Sequence, residues 1–337
     1  MGRALRIWTG LLAFAAAAWA VALASGSVVI DPLALPGLLF TPDASPEAEV
    51  LHALRLPRTG AAFATGGLLA LAGALMQVLL RNPLADPYVL GISGGAAAGA
   101  LAVMWLGLGL GVGAWAVQAG AFGGALLTIV LVFAIAHRDL ARLAAPGAHD
   151  TAPRLLLTGV MLAAGWTAVV TLMLSLAPEA QLRGMLFWLA GDLSGAGSPG
   201  WPLAALAVLL ALAWPLARQL NVLLRGPLAA ASLGVRVIGL RRWLYLLASA
   251  AAAVAVTTAG SVGFIGLVVP HALRLLFGND QRVLLPGCVL AGGSLLLLAD
   301  TLARTVVAPT QLPVGVITAL LGVPSFLVLL LRHGGRP

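Results

Sequence analysis

Lysine is absent from this 337-residue chain, whose nineteen basic residues are all arginine. That absence excludes a P-loop lysine and a Schiff-base lysine, so the chain carries no ordinary Walker-type ATP site of its own. Cys288 is the single cysteine, which excludes an intrachain disulfide and a cysteine metal cluster. Charge of either sign is scarce. Charged residues make up 9% of the chain, against about 25% in soluble domains. With 61% hydrophobic residues and a mean hydropathy of +1.04, the composition excludes a soluble domain and describes a polytopic membrane protein. The net charge of +8 does not point to nucleic acid, because the arginines are scattered between apolar blocks rather than clustered on a face. The eleven acidic residues fall in loops or near the ends of apolar runs, and Asp300 is the deepest. Arg304, one turn later, is placed to pair with it. No carboxylate relay of the kind an ion-coupled carrier buries in mid-membrane is visible.

What is present is a series of apolar runs long enough to cross about 30 Å of hydrocarbon. Helices are expected at about residues 5–25, 59–80, 91–106, 113–136, 155–176, 203–217, 243–258, 262–277, 283–303 and 314–331, an all-α fold of about ten crossings. Arg3 and Arg6 precede the first run, and Ala22-Leu23-Ala24 resembles a small-residue cleavage site. An uncleaved first helix is the reading that closes the topology. The stretch Asp31–Glu49 carries Asp31, Asp43, Glu47 and Glu49 without a basic residue, and so lies outside by the positive-inside rule. The segment from His137 to Arg154 and residues 218–242 are arginine-bearing and cytoplasmic, as is the turn Gly278–Arg282. A short external helix is expected over Gln181–Ala190. Both termini are then cytoplasmic; Arg55, Arg58, Arg183 and Arg304 lie outside and the other arginines inside.

One stretch stands apart. Gly260 to Arg274 reads GSVGFIGLVVPHALR, apolar enough for a bilayer yet interrupted by Gly260, Gly263, Gly266 and Pro270, which cost helix stability. Irregular backbone at membrane depth is tolerated only where protein or a water-filled cavity covers it. The segment therefore reads as part of a transport path, with His271 and Arg274 leaving it on the cytoplasmic side; a kinked structural helix would show the same composition. Gly91, Ser93 and Gly94 form a second glycine-rich start of a span, and both places suit a backbone hinge. Ser93 with the distant His271 also resembles the serine–histidine pair of an intramembrane protease. Close helix packing explains the small residues more simply. No second metal ligand lies near His271 in sequence, so it reads as a gate or contact residue rather than a metal ligand.

The blocks LRLPRTG, GALMQVLLRNPLADPYVLGISGGAAAGA, GFIGLVVPHALR, LPGCVLAGGSLLLLAD and LPVGVITALLGVPSF occur in this order between Leu54 and Leu331. Together they resemble the FecCD-type permeases, the membrane subunits of bacterial ABC importers for vitamin B12, haem and iron-siderophore complexes. The resemblance implies the type II ABC importer permease fold and a homodimer in the bacterial inner membrane with the substrate path between the two copies. It further implies two separate ATPase subunits using ATP and magnesium, and a periplasmic substrate-binding protein; the chain itself would bind no cofactor and catalyse nothing. Residues 226–240 resemble the family's coupling helix, pointing to Gly226, Ala230, Leu233, Gly234, Val235 and Val237, with Arg274, as ATPase-coupling residues. Arg55, Arg58 and Arg304 match family arginines that meet acidic residues of the binding protein, and are expected as exposed external cations. Two departures stand out. Gln311 stands where the family often has a glutamate, and Gly226-Pro-Leu-Ala-Ala230 lacks the acidic residues usual after that glycine. The cargo is left open among cobalamin, haem and ferric siderophores. An ion-coupled secondary transporter is the alternative from a different class, and an intramembrane serine protease the more distant one.

Overall fold

The computed structural model describes residues 2–26, 30–40, 45–107, 113–142 and 152–333. Among them the chain is helical, without strands. In order the helices are α1 (Gly2–Ala24), the short α2 (Leu35–Phe40) and α3 (Pro46–Val50), α4 (Leu56–Leu79), α5 (Ile92–Leu106), α6 (Ala114–Arg142), α7 (Ala152–Leu176) and α8 (Glu179–Leu189). Then come α9 (Gly200–Ala213), α10 (Ala217–Leu223), α11 (Pro227–Ser232), α12 (Val237–Ala259), α13 (Ile265–Phe277), α14 (Gln281–Thr305) and α15 (Val314–His333). A π-helical turn, Leu51–Arg55, leads into α4, and a 3-10 turn, Trp214–Leu216, joins α9 to α10. Among the described residues, seven helical stretches are long and apolar enough to cross a membrane, and Ile92–Leu106, Ile265–Phe277 and Val314–Leu329 are shorter apolar helices.

The bundle is organised around α4, which is buried along nearly its whole length between α12 and α14. Its sequence explains that position. In lipid there is little hydrophobic drive to bring helices together, so close backbone approach through small residues has to supply the contact. Gly66 meets Gly292 of α14 so closely that a Cβ on Gly66 would lie 2.2 Å from the Gly292 carbonyl oxygen. A polar bond ties the outer layer to this core: the Tyr245 hydroxyl of α12 donates to the Ile129 carbonyl of α6 at 2.8 Å. On α6, α7, α9 and α15 large apolar side chains such as Leu126, Leu172, Val208 and Leu320 face outward, as helices that meet lipid or another subunit require.

Helices run further into charged sequence than expected. Arg218, Arg241 and Arg242 all lie within helices, and Arg241 is buried. The segment expected as a loop over 218–242 narrows to 224–236, with α11 inside it. Likewise α6 continues to Arg142 and α4 begins at Leu56. The physical reason is that an arginine stem packs along apolar surface while its head seeks polar partners, so a charge does not by itself end a helix. Asp43, half of the expected basic loop (143–151) and Arg336 lie outside the described residues.

Candidate functional site

α12 stops at Ala259 and α13 starts at Ile265, and the residues between them are not helical. Gly260 opens the break in left-handed backbone (φ +67°), with its Cα so close to α8 that a Cβ would lie 2.2 Å from the Trp188 carbonyl. The edge of the break is fastened by a main-chain bond, Asp192 N donating to Ala259 O at 2.9 Å, and the neighbouring Gly191 O accepts from Val314 N at 2.9 Å. Phe264 closes it, also left-handed (φ +70°), an uncommon conformation for a residue with a side chain. Its ring packs against Gly322, two turns into α15, and Gly266 packs against Gly73, far along α4. α13 therefore begins inside the bundle rather than at its edge.

Pro270 has no N–H, so the Gly266 carbonyl four residues earlier loses its helical partner. That oxygen lies directly against the Cα of Gly73, where a Cβ would come within 1.8 Å of it. One turn further on, Gln77 Nε2 donates to Leu267 O at 3.3 Å. Gly73 thus makes room for the freed carbonyl, and Gln77 bonds the carbonyl next to it. Neither stands out in the sequence, where a glycine and a glutamine inside an apolar helix give no sign of which carbonyl they face.

The two glycine-rich segments expected as hinges are brought together. The hydroxyls of Ser93 and Ser261 share a hydrogen bond at 2.6 Å. Gly91 (φ +77°) ends the 3-10 turn Pro87–Leu90 and packs on Gly159 and Ala163 of α7, while Gly94 packs on Trp166. Gly263 alone of this group has open space around its Cα. His271 is half-buried with its ring edge-on to Phe326 at 6.0 Å. Arg274, in the last turn of α13, donates from Nε to Asn279 Oδ1 at 3.0 Å. Ser93 is engaged with Ser261, while the ring of His271 is set against Phe326.

Arg55, Arg58 and Arg304 do come together, but not as exposed cations. Arg58 grips Asp300 through Nε (3.1 and 2.9 Å) and Nη2 (2.8 Å), and its Nη1 donates to Gln311 Oε1 at 2.7 Å. The side chains of Arg58 and Asp300 are 15% and 3% exposed. Arg304 Nε lies 3.8 Å from the same carboxylate, and its Nη2 donates to the Ala22 carbonyl. Arg55, 4% exposed, donates to the carbonyls of Leu23 and, at 3.0 Å, Ala24. The expectation of exposure fails for a definable reason: the last carbonyls of α1 have no intrahelical donors and sit at the negative end of the helix dipole. Two guanidinium groups satisfy them, and Asp300 neutralises part of the charge.

At the other end of the bundle α11 is a compact, well-capped turn. Gly226 precedes Pro227 at the first helical position, an arrangement that suits a helix start. Gly234 (φ +81°) ends it, with Gly234 N donating to Ala231 O and Val235 N to Ala230 O, both at 3.0 Å. These are the two bonds of a Schellman motif. Ala230 is buried beneath the turn, whereas Leu228 and Leu233 are 65% and 71% exposed. Val237, expected as an outward contact, is instead buried at the start of α12. Leu228 takes its place as the second projecting apolar side chain.

Residues 12–332 match the family model described as the FecCD transport family. The chain belongs to the FecCD transport family. It is 40% identical over 302 residues to the vitamin B12 import system permease protein BtuC of Escherichia coli O127:H6, covering 89% of this chain and 88% of that one. The corresponding protein of strain E24377A is 40% identical over 292 residues, covering 86% of each. Among solved structures, a chain of an inward-facing transporter assigned to the metal-chelate ABC type superposes with a TM-score of 0.83 at 27% identity, covering 97% of this chain and 99% of that one. PsaBC from Streptococcus pneumoniae shares the fold more distantly, with a TM-score of 0.52 at 19% identity over 82% of this chain and 90% of that one. The fold is that of a type II ABC permease, a membrane-embedded transport subunit.

Proposed function

We propose that this chain is the permease of an ABC importer for a cobalamin-type cargo. The 40% identity to vitamin B12 import permeases along nearly the whole chain carries that reading. Haem and ferric siderophores are the cargoes it displaces. Two copies would form the path between them in the bacterial inner membrane. A soluble binding protein would deliver cargo at the arginine end. Two ATPase subunits would engage α11 at the other, cytoplasmic, end, where both chain termini would lie. ATP and magnesium would be used by the ATPase alone.

The geometry supports a division of labour. Leu228 and Leu233 project from a rigid turn, as a knob for a groove on another protein must. Closure of the ATPase dimer would move that knob. The break at Gly260–Phe264 and the opening of α5 at Gly91–Gly94 are where the backbone can change direction. The buried carboxylate Asp300 is held by two arginines, which favours a structural role over the proton or sodium relay of an ion-coupled carrier.

The deciding experiment is uptake in cells lacking their own importers, with this chain expressed beside its ATPase and binding protein. Labelled cobalamin is expected to accumulate, and labelled haem and a ferric siderophore are not. Accumulation should vanish with a hydrolysis-dead ATPase. Uptake that survives the dead ATPase and collapses with an uncoupler would replace the ABC reading with an ion-driven one.

A further inference from the structure

α10 and the turn between α13 and α14 are joined by a cluster of polar bonds that none of the features described so far requires. Asn221 of α10 makes two of them. Its Nδ2 donates to Asp280 Oδ1 and its Oδ1 accepts from the Gln281 main-chain N–H, both at 2.8 Å. The second bond satisfies one of the orphan N–H groups at the start of α14. Asp280 caps the next one, accepting from Arg282 N at 3.0 Å. Two turns before Asn221, on the same side of the chain's helical path, Trp214 Nε1 donates to Arg282 O at 3.0 Å.

The same turn holds the end of α13. Asn279 Oδ1 accepts from Arg274 Nε at 3.0 Å and from Gln281 Nε2 at 3.1 Å. A continuous set of bonds therefore runs from α10 through residues 279–282 into the last turn of α13, the helix that begins at the Phe264 break. α11 starts four residues after the end of α10. A cavity of about 450 Å³ lies between the turn and the start of α1, lined by Arg3, Trp8, Phe277 and Asp280 among others, and Trp8 stands edge-on to Trp214 at 6.4 Å. The turn is thus gripped from α10 and borders open space on the side of α1.

We propose that Asn221 is a positioning residue that carries movement of the α11 segment into α13, and so links the ATPase contact to the transport path. The proposal rests on α11 being the ATPase contact. Asn221 suits the task because it presents a donor to a carboxylate and an acceptor to a main-chain N–H at once. A carboxylate at this position would keep the second bond and turn the first into a repulsion. An alanine at this position would remove both bonds at once.

The test uses the complete complex in proteoliposomes, reading cobalamin moved per ATP hydrolysed and, separately, assembly with the ATPase by size-exclusion chromatography. Asn221→Asp is expected to assemble and hydrolyse ATP while cobalamin moved per ATP falls by about tenfold, the scale of one lost charge-assisted hydrogen bond. Asn221→Ala, which removes both bonds without adding a repulsion, is expected to assemble and to lower the ratio as well. An unchanged ratio in Asn221→Asp or in Asn221→Ala would overturn the proposal. Loss of assembly in Asn221→Asp would make the contact structural only and overturn it equally. The underlying reading has its own control: if Leu228→Glu with Leu233→Glu still assembles with the ATPase, α11 is not the contact, whatever Asn221 does.

Discussion

Gly73 illustrates how much a single missing methyl group does in this bundle. The Gly266 carbonyl freed by Pro270 occupies the place where a Cβ on residue 73 would be. Gly73→Ala must push α13 away from α4, and overpacking of this kind costs about 1–3 kcal/mol. The expected outcome is a lowered melting temperature in detergent and strongly reduced uptake, with Ala74→Gly on the same helix as a milder control. Asp300 makes the opposite case through charge. Asp300→Ala leaves Arg58 and Arg304 buried together without their carboxylate, a loss of about 3 kcal/mol or more, readable as a drop in melting temperature. A double replacement, Arg58→Met with Asp300→Leu, should recover part of it, because fewer unpaired charges are then left behind. The same burial changes how Arg55→Glu with Arg58→Glu must be read. Lost transport in that variant would not by itself report on a docking partner, since those side chains also cap α1 and hold Asp300.

At the scale of elements, the turn before α14 carries a pH signature. Hydrogen bonds and charge from Arg282, with help from Asn221, hold the Asp280 carboxyl down to about 2. Its folded pKa lies below the ordinary value of 3.8, so its contribution to stability is present above that value and is lost as pH falls toward 2. Melting curves of the wild type and Asp280→Asn should therefore converge on acidification below about pH 4; curves that stay parallel would contradict the assignment. α11 makes a separate prediction. Gly234→Val forces a β-branched residue into left-handed backbone and breaks the Schellman cap. Binding of the ATPase should weaken markedly while the permease itself stays folded, because α11 stands apart from the core around α4.

Over the whole molecule, the layering follows from the solvent. α4, α12 and α14 pack through small residues and are sealed inside, while α6, α7, α9 and α15 present leucines outward. Much of this is legible in the sequence. The runs separated by Pro, Gly and Arg point to apolar helices, and the all-helical fold and family stand on motifs from Leu54 onward. The broken segment is also legible, because Gly260, Gly263, Gly266 and Pro270 have no place in a plain span. The sequence misleads on the exposure of Arg55, Arg58 and Arg304, and it places Val237 outward when that side chain is buried. Both errors come from the same source: a residue's neighbours along the chain do not say which helix end or which core lies beside it in space.

What the sequence determined by itself is the class of the protein and the identity of its irregular places. Hydropathy, missing lysine, and the glycines and prolines are local properties that act through each residue's own backbone and solvation. Only the tertiary structure decided the pairings: Gly73 under the Gly266 carbonyl, Asp300 between Arg58 and Arg304, the α1 carbonyls under Arg55, and Asn221 on Asp280. Each of these joins residues far apart in the chain, because a polar group in a low-dielectric bundle must find its partner wherever the folded helices happen to bring one.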